Sequence, residues 1–177
     1  MKNYKVIRLF LLTIFFLASG LYIFAQEEAA NYKTAIGLGL EMNMNSPENF
    51  AAGLALNFDY NLPFPSFAVG LNITGSNNFA GISVLELSGM FRWYFLNRDY
   101  KGLFAQANLG YNYSDIEGSP MALISELRGG VRLPLGNFYL EPYGRVGYPV
   151  VWGAGIAFGI RFQKKTKNNE VLTDELR

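Results

Sequence analysis

From Tyr32 onward the chain alternates. Taken every second residue, Thr34, Ile36, Leu38 and Leu40 stand against Lys33, Ala35, Gly37, Gly39 and Glu41, a period of two that predicts a β-strand over 32–42. The pattern recurs seven times, separated by Asn, Gly, Pro, Ser and Asp, and predicts strands at 50–60, 67–74, 82–95, 103–113, 122–133, 138–147 and 151–162. In the fourth, Leu85, Leu87, Phe91, Trp93 and Phe95 face one way, and Glu86, Ser88, Met90, Arg92 and Tyr94 the other. In the last, Trp152, Ala154, Ile156, Phe158, Ile160 and Phe162 oppose Val151, Gly153, Gly155, Ala157, Gly159 and Arg161. The intervening segments, 43–49, 61–66, 75–81, 96–102, 114–121, 134–137 and 148–150, read as loops and turns. Pro142 would remove a ladder donor inside the seventh strand, and a bulge there would reconcile it.

Alternation alone fits two barrels. A soluble one points its apolar face inward, and a membrane one points it at lipid. Lysine decides between them, because only Lys33 and Lys101 lie between Asn31 and Phe162, where a water-facing sheet would be rich in Lys and Glu. The polar face is instead largely Gly, Ala, Asn and Ser, which suits the inside of a narrow eight-stranded barrel. The aromatics agree. With strands alternating from a periplasmic N-terminus, Tyr32, Tyr60, Phe67, Phe91, Trp93, Phe95, Phe138 and Phe162 gather at the periplasmic end. Phe50, Tyr111, Tyr113, Tyr148 and Trp152 gather at the other, and two such girdles mark membrane interfaces. Unpaired backbone groups are not tolerated in hydrocarbon, so the sheet must close. The expected fold is all-β: an eight-stranded antiparallel up-and-down transmembrane β-barrel over residues 26–162.

The N-terminus reads Lys2, Lys5 and Arg8, then an uncharged run over 9–25. That is the order of a secretory signal peptide, expected over residues 1–25, with a cut after Gly20 as the other option and a retained transmembrane anchor as the competing interpretation. Residues 163–177 form a polar periplasmic tail that buries little. The formal net charge of +1 gives no footprint for nucleic acid. The chain has no cysteine, so disulfides, thiolate metal sites and a lipid-modified N-terminal Cys are excluded.

Charged residues on the small-residue face must be paired, because desolvating a lone charge is expensive. If the 134–137 turn sets Leu133 opposite Phe138, Arg132 faces Tyr139, Glu126 faces Arg145 and Arg128 faces Tyr143, with Glu141 one diagonal away. Glu86, Arg92 and Gln106 belong to the same lumen. Glu86, Arg92, Gln106, Glu126, Arg128, Arg132, Glu141, Tyr143 and Arg145 are expected to form an internal salt-bridge plug. A narrow polar path for small solutes is the sharper alternative. Gly153, Gly155 and Gly159 should leave room for side chains from across the barrel, and Arg161 should meet polar groups at the periplasmic end.

Over 31–162 the chain resembles the small eight-stranded outer-membrane proteins of diderm bacteria, the group that includes OmpX, OmpW and the OmpA membrane domain. The stretch from Gly155 through Phe158 and Ile160 to Phe162 is similar to the terminal β-signal of that class. The resemblance implies the cell outer membrane as location, and its lipid, periplasmic chaperones and the barrel assembly machinery as partners. Enzymes built on related barrels rely on a histidine, and this chain has none, so a Ser-His nucleophile and a His-based metal site are excluded. A non-enzyme without cofactor is expected, with a structural or surface role. An OmpW-like channel for small or hydrophobic solutes and an exported soluble ligand-binding barrel are the alternatives.

Overall fold

The computed structural model describes residues 32–46, 49–63, 66–78, 82–95, 100–115, 121–148 and 150–163. The expected signal peptide and polar tail lie outside these residues. Eight strands follow in order: β1 (Tyr32–Ser46), β2 (Asn49–Asn61), β3 (Phe67–Asn78), β4 (Ser83–Tyr94), β5 (Gly102–Ser114), β6 (Met121–Leu135), β7 (Phe138–Tyr148) and β8 (Trp152–Gln163). Each pairs antiparallel with its sequence neighbours, and β8 returns to β1, so the sheet is a closed up-and-down barrel without an edge. β1 begins and β8 ends at the same mouth, called here the terminal mouth.

Alternation fixes the two faces. Leu38, Leu109 and Leu127 are each more than 60% exposed, and every strand contributes large apolar side chains to that outer wall. Inward positions are buried and polar or small: Ala35, Ala55, Asn57, Asp59, Asn72, Thr74, Arg92 and Asn108. The barrel is therefore inverted relative to a soluble protein.

Several strands run further than the sequence pattern predicts. β1 continues to Ser46 and β3 to Asn78. Asn43 and Ser76 are polar because they face the buried interior, so polarity that reads as a loop is the inner half of a strand. Pro134 and Leu135 likewise belong to β6, and the turn to β7 is only Gly136-Asn137. Gly136 takes φ +63°, as in the glycine-first two-residue hairpin turn. This moves the β6–β7 register by two residues, pairing Leu135 with Phe138 and Pro134 with Tyr139. Pro142 produces no bulge: Leu133↔Leu140 and Gly130↔Tyr143 share one register, and Pro142 stays paired with Ile156 on β8. The missing donor removes pairs from the β6 ladder without shifting it.

Glycines serve the inside. A Cβ at Gly159 would stand 2.3 Å from Tyr139 Cζ, and one at Gly155 would stand 2.6 Å from Tyr143 Cζ. The side chains filling these notches come from β7, the adjacent strand, rather than from across the barrel. Outward-facing Gly144 is different, since a Cβ there meets nothing closer than 3.8 Å. Gly159→Ala is expected to destabilise the barrel by about 1–3 kcal/mol through overpacking, while Gly144→Ala changes stability by less than about 0.5 kcal/mol. Urea unfolding of both variants in detergent micelles checks the contrast.

Candidate functional site

The inside of the barrel is the only place where opposite charges converge among the described residues. Period-two alternation delivers them there, because each occupies an inward position of its strand.

Toward the terminal mouth, Arg92 of β4 forks onto Glu141 of β7, with Nη1–Oε2 and Nη2–Oε1 both 2.9 Å. Arg132 of β6 donates from Nε to Glu141 Oε2 at 2.6 Å and from Nη2 to Asp59 Oδ2 at 2.5 Å. Arg92 Nη1 also reaches Asp59 Oδ2 at 3.3 Å. Two guanidinium groups and two carboxylates balance. Aromatic faces complete the enclosure, with Phe104 4.2 Å from the Arg92 guanidinium and Tyr139 4.1 Å from that of Arg132.

Toward the opposite mouth, Arg145 of β7 collects three carboxylates. Its Nη1 donates to Glu41 Oε1 at 2.6 Å and its Nη2 to Glu86 Oε2 at 2.7 Å, and Nη2 also forms an ion pair with Glu126. Arg128 donates to Glu126 and lies 3.9 Å from Glu41, while its guanidinium stands 5.1 Å from the Tyr143 ring centre. Tyr143 donates its hydroxyl to Glu41 Oε2 at 2.8 Å, and Asn43 Nδ2 to Glu41 Oε1 at 3.0 Å. Three carboxylates against two guanidinium groups make Arg145 the hub of this half.

Amides join the halves. Arg92 Nε donates to Gln106 Oε1 at 2.7 Å, Gln106 Nε2 to Asn108 Oδ1 at 2.8 Å, and Asn108 Nδ2 to Glu126 Oε1 at 2.7 Å. Asn72 adds a fourth link, with its Nδ2 3.1 Å from Asn108 Oδ1.

Glu86, Arg92, Gln106, Glu126, Arg128, Arg132, Glu141, Tyr143 and Arg145 thus lie in one connected network. Its pairing differs from the sequence expectation. Arg132 is not opposite Tyr139, nor Glu126 opposite Arg145, nor Arg128 opposite Tyr143. Glu126 stands opposite Gly147, and Arg128 opposite Arg145, a like-charge pair made tolerable by Glu126 and Glu41. The Glu126–Arg145 ion pair forms diagonally.

Glu41 and Asp59 are the members that sequence reasoning missed. Both stand on inward positions of β1 and β2, and that parity was the available signal.

On the outer wall, Phe67 stacks on Phe91 at 5.5 Å, and Phe95 lies 4.3 Å from Trp93. Tyr111, Tyr113 and Trp152 are exposed, with Trp152 6.3 Å from Phe50. Phe158, Ile160 and Phe162 face outward, and Gly155 faces Tyr143. Tyr32 is the exception among the aromatics. A register shift between Tyr32 and Thr34 turns it to the mouth, where its ring lies 4.0 Å from the Arg161 guanidinium and its hydroxyl donates to Gly136 O at 3.1 Å. Arg161 also donates to the Gly136 carbonyl.

No protein-family model and no curated protein matches the chain. Solved structures similar to it include the N-terminal β-barrel domain of Pseudomonas aeruginosa OprF, with 12% identity, TM-score 0.48, 75% of this chain and 99% of that one. Neisserial surface protein A is similar at 13% identity and TM-score 0.49, covering 75% and 97%. The de novo designed TMB2.3 is similar at 11% identity and TM-score 0.47, covering 78% and 100%. The strand pairing described above establishes the architecture by itself.

Removing the hub leaves three buried carboxylates facing the single Arg128 guanidinium. Arg145→Ala is expected to destabilise the folded barrel by about 3–5 kcal/mol, against about 1 kcal/mol for Asn43→Ala, which removes one hydrogen bond. Equilibrium unfolding in micelles gives both values, and an Arg145→Ala loss no larger than that of Asn43→Ala would refute the hub role.

Proposed function

We propose that the chain is an integral outer-membrane β-barrel whose lumen is plugged by its own side chains, and that its role is structural or surface-facing without catalysis. The observation that carries this reading is the inversion of its faces. Apolar side chains such as Leu38 and Leu127 stand exposed around the wall, while Arg92, Arg132 and Arg145 are 2% exposed or less inside it. In water that wall would be a single apolar patch far beyond the few hundred Å² that monomeric proteins expose. In lipid it is satisfied, and backbone closure removes the remaining objection.

Plugging is favoured over conduction because the ion pairs span the lumen rather than line it. Arg92 on β4 reaches Glu141 on β7, Asp59 on β2 reaches Arg132 on β6, and Glu41 on β1 reaches Arg145 on β7. Eight strands leave space for side-chain filling and little more. The aromatic sets Phe91–Trp93–Phe95–Phe162 at one end and Tyr111–Tyr113–Trp152 at the other act as interfacial anchors in this reading. The run Gly155–Phe162 acts as the assembly signal read by the barrel assembly machinery after export and periplasmic escort.

Two measurements test the proposal. The folded protein in detergent should migrate at a different gel position from its boiled form. It should also insert into planar bilayers with conductance at background. A buffer-soluble chain with no heat-modifiable band would sink the membrane reading, and steady conductance by the unaltered protein would sink the plug.

A further inference from the structure

We infer that the terminal mouth carries a phospholipid site, in which Lys33 holds the phosphate of an inner-leaflet lipid and the glycerol end sits in a tyrosine-walled cavity. This rests on the membrane reading above and names a ligand for a part of the barrel that the plug does not use.

The cavity is about 360 Å³, large enough for a headgroup, and lies among Tyr32, Lys33, Tyr60, Asn61, the 62–63 turn and Tyr100. Its walls are fastened from three segments. Asn61 Nδ2 donates to Tyr32 O at 2.9 Å, tying β2 to β1. The Tyr100 hydroxyl donates to Leu62 O at 2.5 Å, tying the β4–β5 connection to the β2–β3 turn. Tyr100 also packs edge-on against buried Tyr94 at 6.0 Å. It does so at φ +54°, a left-handed conformation that a bulky residue adopts only where its surroundings enforce it.

Charge selects the ligand. Lys33 is exposed, its Nζ lies 5.4 Å from the centre of the Tyr60 ring, and no acidic side chain is among the described residues lining the cavity. An anion is therefore favoured, and an ammonium provides the point charge that suits phosphate. Position selects lipid over a dissolved anion. Tyr60 continues the outward row Leu54, Leu56 and Phe58, and its cross-strand partner is Val69, followed by Phe58 opposite Leu71. Tyr60 thus belongs both to the cavity and to the apolar outer row of β2, which offers acyl chains a track along β2 and β3. The Phe67–Phe91–Trp93 stack sits beside it at the same end, which is headgroup depth for interfacial aromatics.

The test is native mass spectrometry of the full-length protein in detergent, with phosphatidylglycerol or diacylglycerol of the same chains added. The expected result is one retained phosphatidylglycerol, roughly tenfold less retention by Lys33→Gln, a loss of the size of one charge-assisted contact, and no retained diacylglycerol. Excess inorganic phosphate should leave the lipid bound. Equal retention by Lys33→Gln, equal retention of diacylglycerol, or displacement by inorganic phosphate would each overturn the site. Both proteins are first checked for a heat-modifiable band. Its absence in the unaltered chain would overturn the membrane reading and the site together, whereas its presence with lipid retention indifferent to Lys33 overturns the site alone.

Discussion

A barrel of eight strands encloses a space so narrow that any charge pointing inward must find its counter-charge on the protein. The network answers that constraint with arginines long enough to cross the lumen. Arg92, Arg132 and Arg145 each connect strands that are not neighbours in the sheet, and each is 2% exposed or less. Backbone pairing holds each strand to two neighbours, and these side chains tie opposite walls together. Replacing such a network with apolar groups need not destabilise a protein, but removing one member leaves its partners charged and dry. The interior is therefore committed as a unit, and the proposed plug rests on that geometry.

The glycines and tyrosines of β7, β8 and β1 follow from the same shortage of space. Tyr139 and Tyr143 occupy notches over Gly159, Gly37 and Gly155 that no side chain could share. The Tyr143 hydroxyl then becomes a donor to Glu41, and the Tyr139 ring becomes a face for Arg132. Small residues on one strand make room for large ones on the next, and the large ones complete the charge pairing.

Most of the architecture was legible in the sequence because a period of two survives any error in loop length. All eight strands, and the side of the sheet taken by Glu86, Arg92 and Arg145, could be read from parity. Register could not. Pro134 looked like a breaker, yet at the end of β6 it pairs with Tyr139, and the shorter Gly136-Asn137 turn slid every β6–β7 partner by two residues. Parity is unchanged by a shift of two, so the faces stayed correct while the cross-strand pairs changed. Glu41 and Asp59 share the inward parity, but their partners sit on β4, β6 and β7, far away in sequence. Only closure of the barrel brings them together. Tyr32 lies at the expected end, but a one-residue shift beside Lys33 turns its ring onto Arg161, and nothing local in the sequence marks it.

The central claim is that the apolar face of each strand meets lipid while the polar face is sealed inside. The absence of cysteine makes a direct measurement possible, with single substitutions Leu54→Cys, Leu56→Cys and Phe58→Cys against Ala55→Cys and Asn57→Cys along β2, each carrying a nitroxide label in vesicles. Collision with oxygen, which dissolves in lipid, should be strong at 54, 56 and 58 and weak at 55 and 57, and a water-soluble paramagnetic ion should reach none of the five. Strong collision of that ion with positions 54, 56 and 58 would place the apolar wall in water and contradict the account.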